Sequence, residues 1–316
     1  MKIALRTLYF ALREWCRALK IYKNKDFACE RKKAEIIRLI HSLEKGMCIL
    51  NPRLGFGIEK IHKLIKYSEE FASLYGKDTT CLYMACDVIE SYIKYHKEKN
   101  YSDEAFDSIC DKFENFKNHI GNHSGEYAGV LTVSKNEIPD ATIVKNIFES
   151  RHSVRDFENK SVSKEEILEA IKMAQNAPSA CNRQAVRVYV VSSDKICSLY
   201  DGNLSGIGGF AENTDKFILI TGKLSAYRLD EDKQFVVSAS IFASYLSIAL
   251  NSYKIGSCII QRPLNYSKQW IKMTEELSIP DDEQLVCMMA IGYLKDEYKV
   301  PVSKRYNIEE IAKFID

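Results

Sequence analysis

Apolar residues recur at three-and-four spacing through most of the first 120 positions. The stretches 3–22, 26–45, 57–75, 79–99 and 102–119 each carry them along one face, which predicts five amphipathic helices. Strand-like alternation is absent there, so the pattern predicts an all-α N-terminal domain over residues 1–125. Periodicity lapses between Gly121 and Pro139, where Gly, Ser and Asn gather, and a linker is expected at 126–140. Beyond it, over 141–316, the pattern is mixed. Asp140 is a candidate N-cap for a short helix over 141–150. Ser163 to Glu166 forms a capping box, with Val162 and Ile167 as its hydrophobic staple. Ile167, Leu168, Ile171 and Ala174 then line one helix face until Pro178 stops it. Strands are predicted at 186–192, 217–221, 255–260 and 285–291. Between the second and third, residues 231–251 predict a helix apolar nearly all round. Such a helix needs neighbours on every side, from its own core or from a second subunit.

Composition narrows the class. A chain of 316 residues exceeds the usual single-domain size, and 46% hydrophobic with 28% charged residues suits an ordinary globular protein. A net charge of +2 gives no reason to expect nucleic acid as a partner. The charge is unevenly spread, however: residues 1–66 hold sixteen Lys and Arg against six Asp and Glu. The ten cysteines show no CxxC spacing and no His at zinc-ligand distance, so neither structural metal nor disulfides are expected. Reduced thiols in a cytoplasmic protein are the simplest reading. Arg6, Arg13, Glu14 and Arg17 interrupt the only apolar stretch near the start, so no signal peptide is expected. No uncharged run is expected to span a bilayer.

Candidate chemistry lies in three separated clusters. The first is Ser150-Arg151-His152-Ser153-Val154-Arg155-Asp156-Phe157, before the capped helix. The second, Ala177-Pro178-Ser179-Ala180-Cys181-Asn182-Arg183-Gln184, follows that helix. The third is Val302-Ser303-Lys304-Arg305-Tyr306. Guanidinium forks and hydroxyls in the first and third suit phosphate oxygens. The Asn and Gln of the second can read a heterocycle edge through paired donors and acceptors. Taken singly, each cluster also reads as a solvated loop with surface arginines.

Together, in this order and spacing, the clusters resemble the nitroreductase family. Its core opens with Arg-x-Ser-x-Arg or Lys, and continues through a helix to a Pro-Ser-x-x-Asn-x-Gln loop. The resemblance spans roughly residues 141–316. It implies an α+β fold, a central, mainly antiparallel sheet flanked by helices that binds FMN, usually in a homodimer with the flavin at the subunit interface. It further implies that Arg151, Ser153 and Arg305 hold the FMN phosphate, with His152, Lys304 and Ser303 nearby. Arg155 would lie at the N1–C2 carbonyl end of the flavin, where a fixed cation favours the negative charge of the reduced ring. Pro178, Ser179, Asn182 and Gln184 would approach the ring edge or ribityl chain. A backbone N–H at Ile260, Gln261 or a neighbour would face N5. Two departures stand out: Ala185 and Val186 follow the Asn-x-Gln loop where Pro and an aromatic are usual, and Gln261-Arg262-Pro263 is an atypical continuation of the Gly-x-x-Cys strand at 255–260.

The activity this implies is ping-pong hydride transfer from NADH or NADPH, through flavin N5, to an electron-poor small molecule: a nitro compound, a quinone or a dedicated biosynthetic substrate. Rival readings are a flavoprotein dehydrogenase or dehalogenase that does not use NAD(P)H, and a non-enzymatic or flavin-free protein that recruits a partner. The run Gly202 to Gly209 fits a dinucleotide fingerprint only on paper, because it precedes a strand and opens no helix. Cys181 and Cys258 are read as packing residues. In the N-terminal region, Leu5, Leu8, Leu12, Trp15, Leu19 and Tyr22 share one helix face, with Lys2, Arg6, Arg13, Arg17 and Lys20 on the other. That helix either packs on the protein, the favoured reading, or lies on an anionic membrane surface through residues 1–23. The Gly-rich turn after His41-Ser42-Leu43-Glu44-Lys45-Gly46 weakly resembles an extension of some nitroreductase-like proteins encoded with polysaccharide genes. Glu44, Lys45 and Arg53 there either shape a substrate pocket or are surface charges around a helix-capping turn.

Overall fold

The computed structural model describes residues 2–77, 79–121, 123, 126–199, 207–231, 233–261 and 268–315. Its N-terminal region is helical: α1 (Lys2–Lys23), α2 (Ala28–Cys48), α3 (Ile58–Tyr75), α4 (Thr80–Glu98) and α5 (Glu104–Ile120). α2 to α5 bury one another's apolar stripes in a single core that includes Ile36, Leu43, Leu64, Phe71, Ile89 and Phe116. α1 contributes nothing to it. Asp103 caps α5 by accepting from the Phe106 N–H at 2.7 Å. The turn from α2 to α3 does more than connect. It seats Phe56 against Tyr92, Tyr95 and His96, and the Tyr92 hydroxyl donates to the Phe56 carbonyl at 2.6 Å. A Cβ at Gly46 would overlap the Phe56 ring, which accounts for a glycine within α2.

The chain stays on this bundle beyond α5. His123 pairs with Asp87 at 2.7 Å, the Tyr127 N–H donates to the same carboxylate, and the Gly129 N–H donates to Glu44. From there through Ser150 every residue is half or fully exposed, including the helix α6 (Ala141–Ser150).

The rest is α+β. α7 (Lys164–Ala174) is followed by β1 (Val186–Ser192), α8 (Ser193–Leu199), β2 (Lys216–Lys223), α9 (Gln234–Ser252), β3 (Ile255–Ile260), α10 (Lys268–Glu276) and β4 (Glu283–Tyr293). The four strands form one antiparallel sheet in the order β1-β2-β4-β3. Both faces are covered. Phe217 and Leu219 point towards α8 and α10, while Ile218 and Ile220 point towards α7 and α9. Two-sided burial explains why β2 and β4 read as continuous apolar runs instead of alternating ones.

All four predicted strands and all eight predicted helices are present, with ends shifted by a few residues. α8 and α10 were not anticipated, since short helices carry too little periodicity to stand out. One expectation is overturned. Residues 234–253 are uncharged, and α9 is long and apolar enough to cross a membrane by length and composition; here it packs on α7 and the sheet. The expectation for α1 is also reversed. Ile21 is buried, but Leu5, Leu8, Leu12 and Trp15 face outward instead of packing on the protein.

His96 makes the stability of the bundle depend on pH. It is fully buried, with Nδ1 2.9 Å from the Tyr92 carbonyl and no partner for Nε2 among the described residues. Burial holds its imidazole below the usual value of 6.5, against the upward pull of the Tyr92 carbonyl and Asp103. The unfolded chain therefore takes up this proton first as pH falls. The stability is complete above the ordinary histidine pKa and is lost as pH drops from there through the depressed one. Urea midpoints should fall between about pH 7.5 and about pH 5.5, and His96→Leu should flatten that slope. An unchanged slope in the variant would assign the titration to another group, such as His62, whose pKa is also lowered by burial.

Candidate functional site

The first cluster is laid down against β3 by packing. Ser153 pairs with Ser257 in an isolated parallel bridge, and the Val154 N–H donates to the Ser257 carbonyl at 3.0 Å. Val154 and Phe157 are buried beneath this segment. They fit because Gly256 and Gly292 stand opposite each other in register on β3 and β4. A Cβ at Gly292 would lie 2.6 Å from the Phe157 Cβ, and one at Gly256 would lie 3.2 Å from the Val154 Cβ. Any side chain there would lift the segment off the sheet. With Val154 and Phe157 turned inward, Arg151 and Ser153 are left half-exposed, and His152 and Arg155 exposed.

The two guanidiniums converge. Burial pushes the Cys258 thiol up, while the charges of Arg155 and Arg151 both pull it down without prevailing. Cys258 is thus a protonated packing thiol, and both arginines are within electrostatic reach of it. Arg155 also lies 6.0 Å from the centre of the Phe210 ring. Neither arginine has an acidic partner among the described residues. β3 ends beside them with half-buried Ile260 and exposed Gln261. Arg262 and Pro263 lie outside the described residues, as do positions 202–206 of the glycine run.

The second cluster forms a strained, clamped loop before β1. Cys181 (φ 52°), Asn182 (φ 52°) and Gln184 (φ 50°) all occupy the left-handed region. Asn tolerates that conformation; for Cys and Gln it costs on the order of 1 kcal/mol each. The restraints are local and tertiary. The Ser179 carbonyl accepts from the Asn182 N–H at 2.9 Å, and the Ser179 hydroxyl accepts from the Gln184 N–H at 3.1 Å. Arg183 is buried and grips Glu231 with both terminal nitrogens, at 2.8 and 2.5 Å, while lying 4.9 Å from the centre of the Tyr227 ring. Burial alone would raise the Glu231 carboxyl, but the Arg183 hydrogen bond and charge outweigh it and hold it below the usual range. Pro178, Ser179, Gln184 and Arg187 open onto a cavity of about 230 Å³. On another side of the loop, Ala34 of α2 packs with Ala180, Ala185, Ala226 and Tyr227, and Glu30 reaches Lys223 at 3.4 Å.

A single chain does not bring the clusters together. The first lies against β3 and the second leads into β1, and these strands are the two edges of the sheet. Three strand spacings separate them, about 14 Å. Lys304 and Arg305 belong to an exposed C-terminal tail in which Arg305 donates only to the Ser303 carbonyl, at 2.8 Å. Glu44, Lys45 and Arg53 are on the helical bundle. Glu44 holds the Gly129 N–H, Lys45 is exposed, and exposed Arg53 lies near Tyr101. The extension meets the second cluster through α2 residues Glu30 and Ala34, which sequence reasoning missed. Arg183 was missed too, because its clamp on Glu231 spans 48 positions and leaves no local pattern.

Comparison with known proteins finds similarity over the C-terminal part of the chain. The model of the nitroreductase family matches residues 148–201 and 209–293, which includes the first two clusters and all four strands. No curated protein matches significantly. Among solved structures, an FMN-dependent nitroreductase from Clostridium difficile R20291 is 25% identical, covering 53% of this chain and 96% of its own, with a TM-score of 0.44. A structure from Desulfovibrio desulfuricans solved in complex with FMN is 18% identical, covering 55% and 97%, with a TM-score of 0.47. A nitroreductase-like family protein from Bacillus cereus is 19% identical, covering 57% and 99%, with a TM-score of 0.48. Each spans little more than half of this chain. The chain is thus similar to the nitroreductase family over residues 148–293, which follow an N-terminal helical region.

Proposed function

We propose that the protein is an FMN-dependent oxidoreductase that draws electrons from NADH or NADPH and delivers them to a small electron-poor acceptor. The observation that carries this is the pair Arg151 and Arg155, without an acidic partner among the described residues and held with Ser153 on a packed segment beside β3. These residues fit FMN: two unneutralised guanidiniums and a hydroxyl suit a phosphate at one end and an electron-rich ring edge at the other. When bound, FMN supplies two-electron chemistry at N5. Arg151 and Ser153 hold its phosphate. Arg155 provides a fixed positive charge where the reduced ring accumulates negative charge, and that charge is preorganised because the segment beneath it cannot move. Cys258 stays protonated and takes no part as a nucleophile.

A homodimer completes the site in this reading. The polar loop at 178–184 and the tail carrying Lys304 and Arg305 lie away from Arg151 in one chain, so a second copy brings its loop and tail to the first copy's arginines. Apolar side chains with no cover support this. Ile143 and Phe148 on α6, Val237 and Tyr245 on α9, and Ile311 and Phe314 in the tail are all exposed.

Anaerobic titration of the FMN-loaded protein with NADH and with NADPH tests the reading. One equivalent of a donor should bleach the oxidised flavin band. Failure to bind FMN would end the proposal, whereas bound flavin that refuses both donors would point to a dedicated substrate as reductant. Arg151→Ala should weaken FMN binding about 10- to 100-fold without a change in melting temperature. Gly256→Val should weaken FMN binding and also lower stability, by about 1–3 kcal/mol, as it lifts Val154 from the sheet. Equal FMN affinity in Gly256→Val and the parent would show that the packed segment does not set the site.

A further inference from the structure

α1 is mounted on the protein the wrong way round for a packing helix. Its C-terminal half is anchored. Ile21 is buried, Arg17 donates to the Asp281 carbonyl at 2.9 Å and to the Glu283 carbonyl at 2.8 Å, and Arg31 donates to the Ile21 and Asn24 carbonyls. This turns the basic side towards the protein, where Arg13, Arg17 and Lys20 line a cavity of about 530 Å³ above Trp270. The apolar side is turned out. Leu5, Leu8, Leu12 and Trp15 are 60%, 55%, 52% and 60% exposed, and Tyr9 and Tyr22 flank them at 56% and 46%. A surface helix ordinarily buries that stripe and exposes its charges.

Charge selects what covers the stripe. α1 carries six Lys and Arg against the single acid Glu14. Two such helices face to face would repel each other, whereas an anionic bilayer attracts the helix. Leucines at the centre with Trp and Tyr at the margins match the depth profile of a helix lying in the headgroup region. We propose that α1 is an in-plane membrane helix that docks this protein on anionic lipid bilayers through Leu5, Leu8, Leu12 and Trp15. The anchoring of Arg17 and Ile21 then fixes how the rest of the protein sits above the lipid.

The test is flotation of the full-length protein, with FMN added, on vesicles of phosphatidylcholine alone and with about 30% phosphatidylglycerol. Binding should require the anionic lipid and weaken in high salt. Trp15 emission should shift to the blue, while Trp270, already buried, stays constant. Leu8→Glu with Leu12→Glu should reduce binding about a hundredfold or more, because two exposed leucines no longer enter the lipid. Both positions are exposed, so the double variant should keep the parent melting temperature, its FMN and its response to NAD(P)H. Those readouts separate failure of the membrane surface from failure of the flavin reading. No flotation by the parent would overturn the proposal, as would undiminished flotation of the double variant. Loss of a larger oligomer in the double variant without vesicles would overturn it too, in favour of a second copy as the cover.

Discussion

The contact of Phe157 with the glycine pair Gly256 and Gly292 determines where the chemistry of this chain can be. β3 is an edge strand, and an open edge presents unpaired backbone groups. The segment 153–158 covers part of it through the Val154 N–H, which donates to Ser257, while the Glu158 N–H donates to Tyr293 at the end of β4. It can do so only because no side chain rises from either glycine. The same packing turns Arg151, Ser153 and Arg155 outward together. A fold requirement and a binding requirement are met by one local arrangement.

The helical extension connects to the α+β part through α2, one face of which belongs to the helical core while another touches the loop at 180–185. That loop holds three non-glycine residues in the left-handed region and must be restrained to keep them there. Arg183 and Glu231 supply one restraint, and Ala34 and Glu30 of α2 supply another. Losing Glu231 would strand the buried Arg183 charge, at about 3–5 kcal/mol. The extension is therefore coupled to the loop at 178–184 by packing, and the turn after α2, which bears Arg53, seats Phe56 against α4.

Much of the fold was legible because its signals are local. Five amphipathic stripes, the Ser163 capping box and four apolar strand runs all appear as elements. The resemblance found the first two clusters because their residues are contiguous. What escaped was whatever depends on distance: the register that opposes Gly256 to Gly292, the span from Arg183 to Glu231, and the approach of α2 to the loop. Sequence spacing also could not show that the clusters sit on opposite sheet edges. For α1 the pattern gave the correct face but not its direction, because an apolar stripe looks the same whether it turns in or out.

Exposed apolar surface on this protein is of two kinds, and charge tells them apart. On α6 and the tail, acids and bases are mixed: Lys145 pairs with Glu149, and Glu309 and Glu310 stand near Lys313. Such near-neutral surroundings would let two copies of one chain meet without repulsion. α1 as a whole carries six Lys and Arg against the single acid Glu14, which penalises a like copy and favours an anionic surface. Both surfaces would be satisfied at once by a dimer seated on a bilayer, since α1 is held by β4 and its flanking turn, away from α6 and the tail.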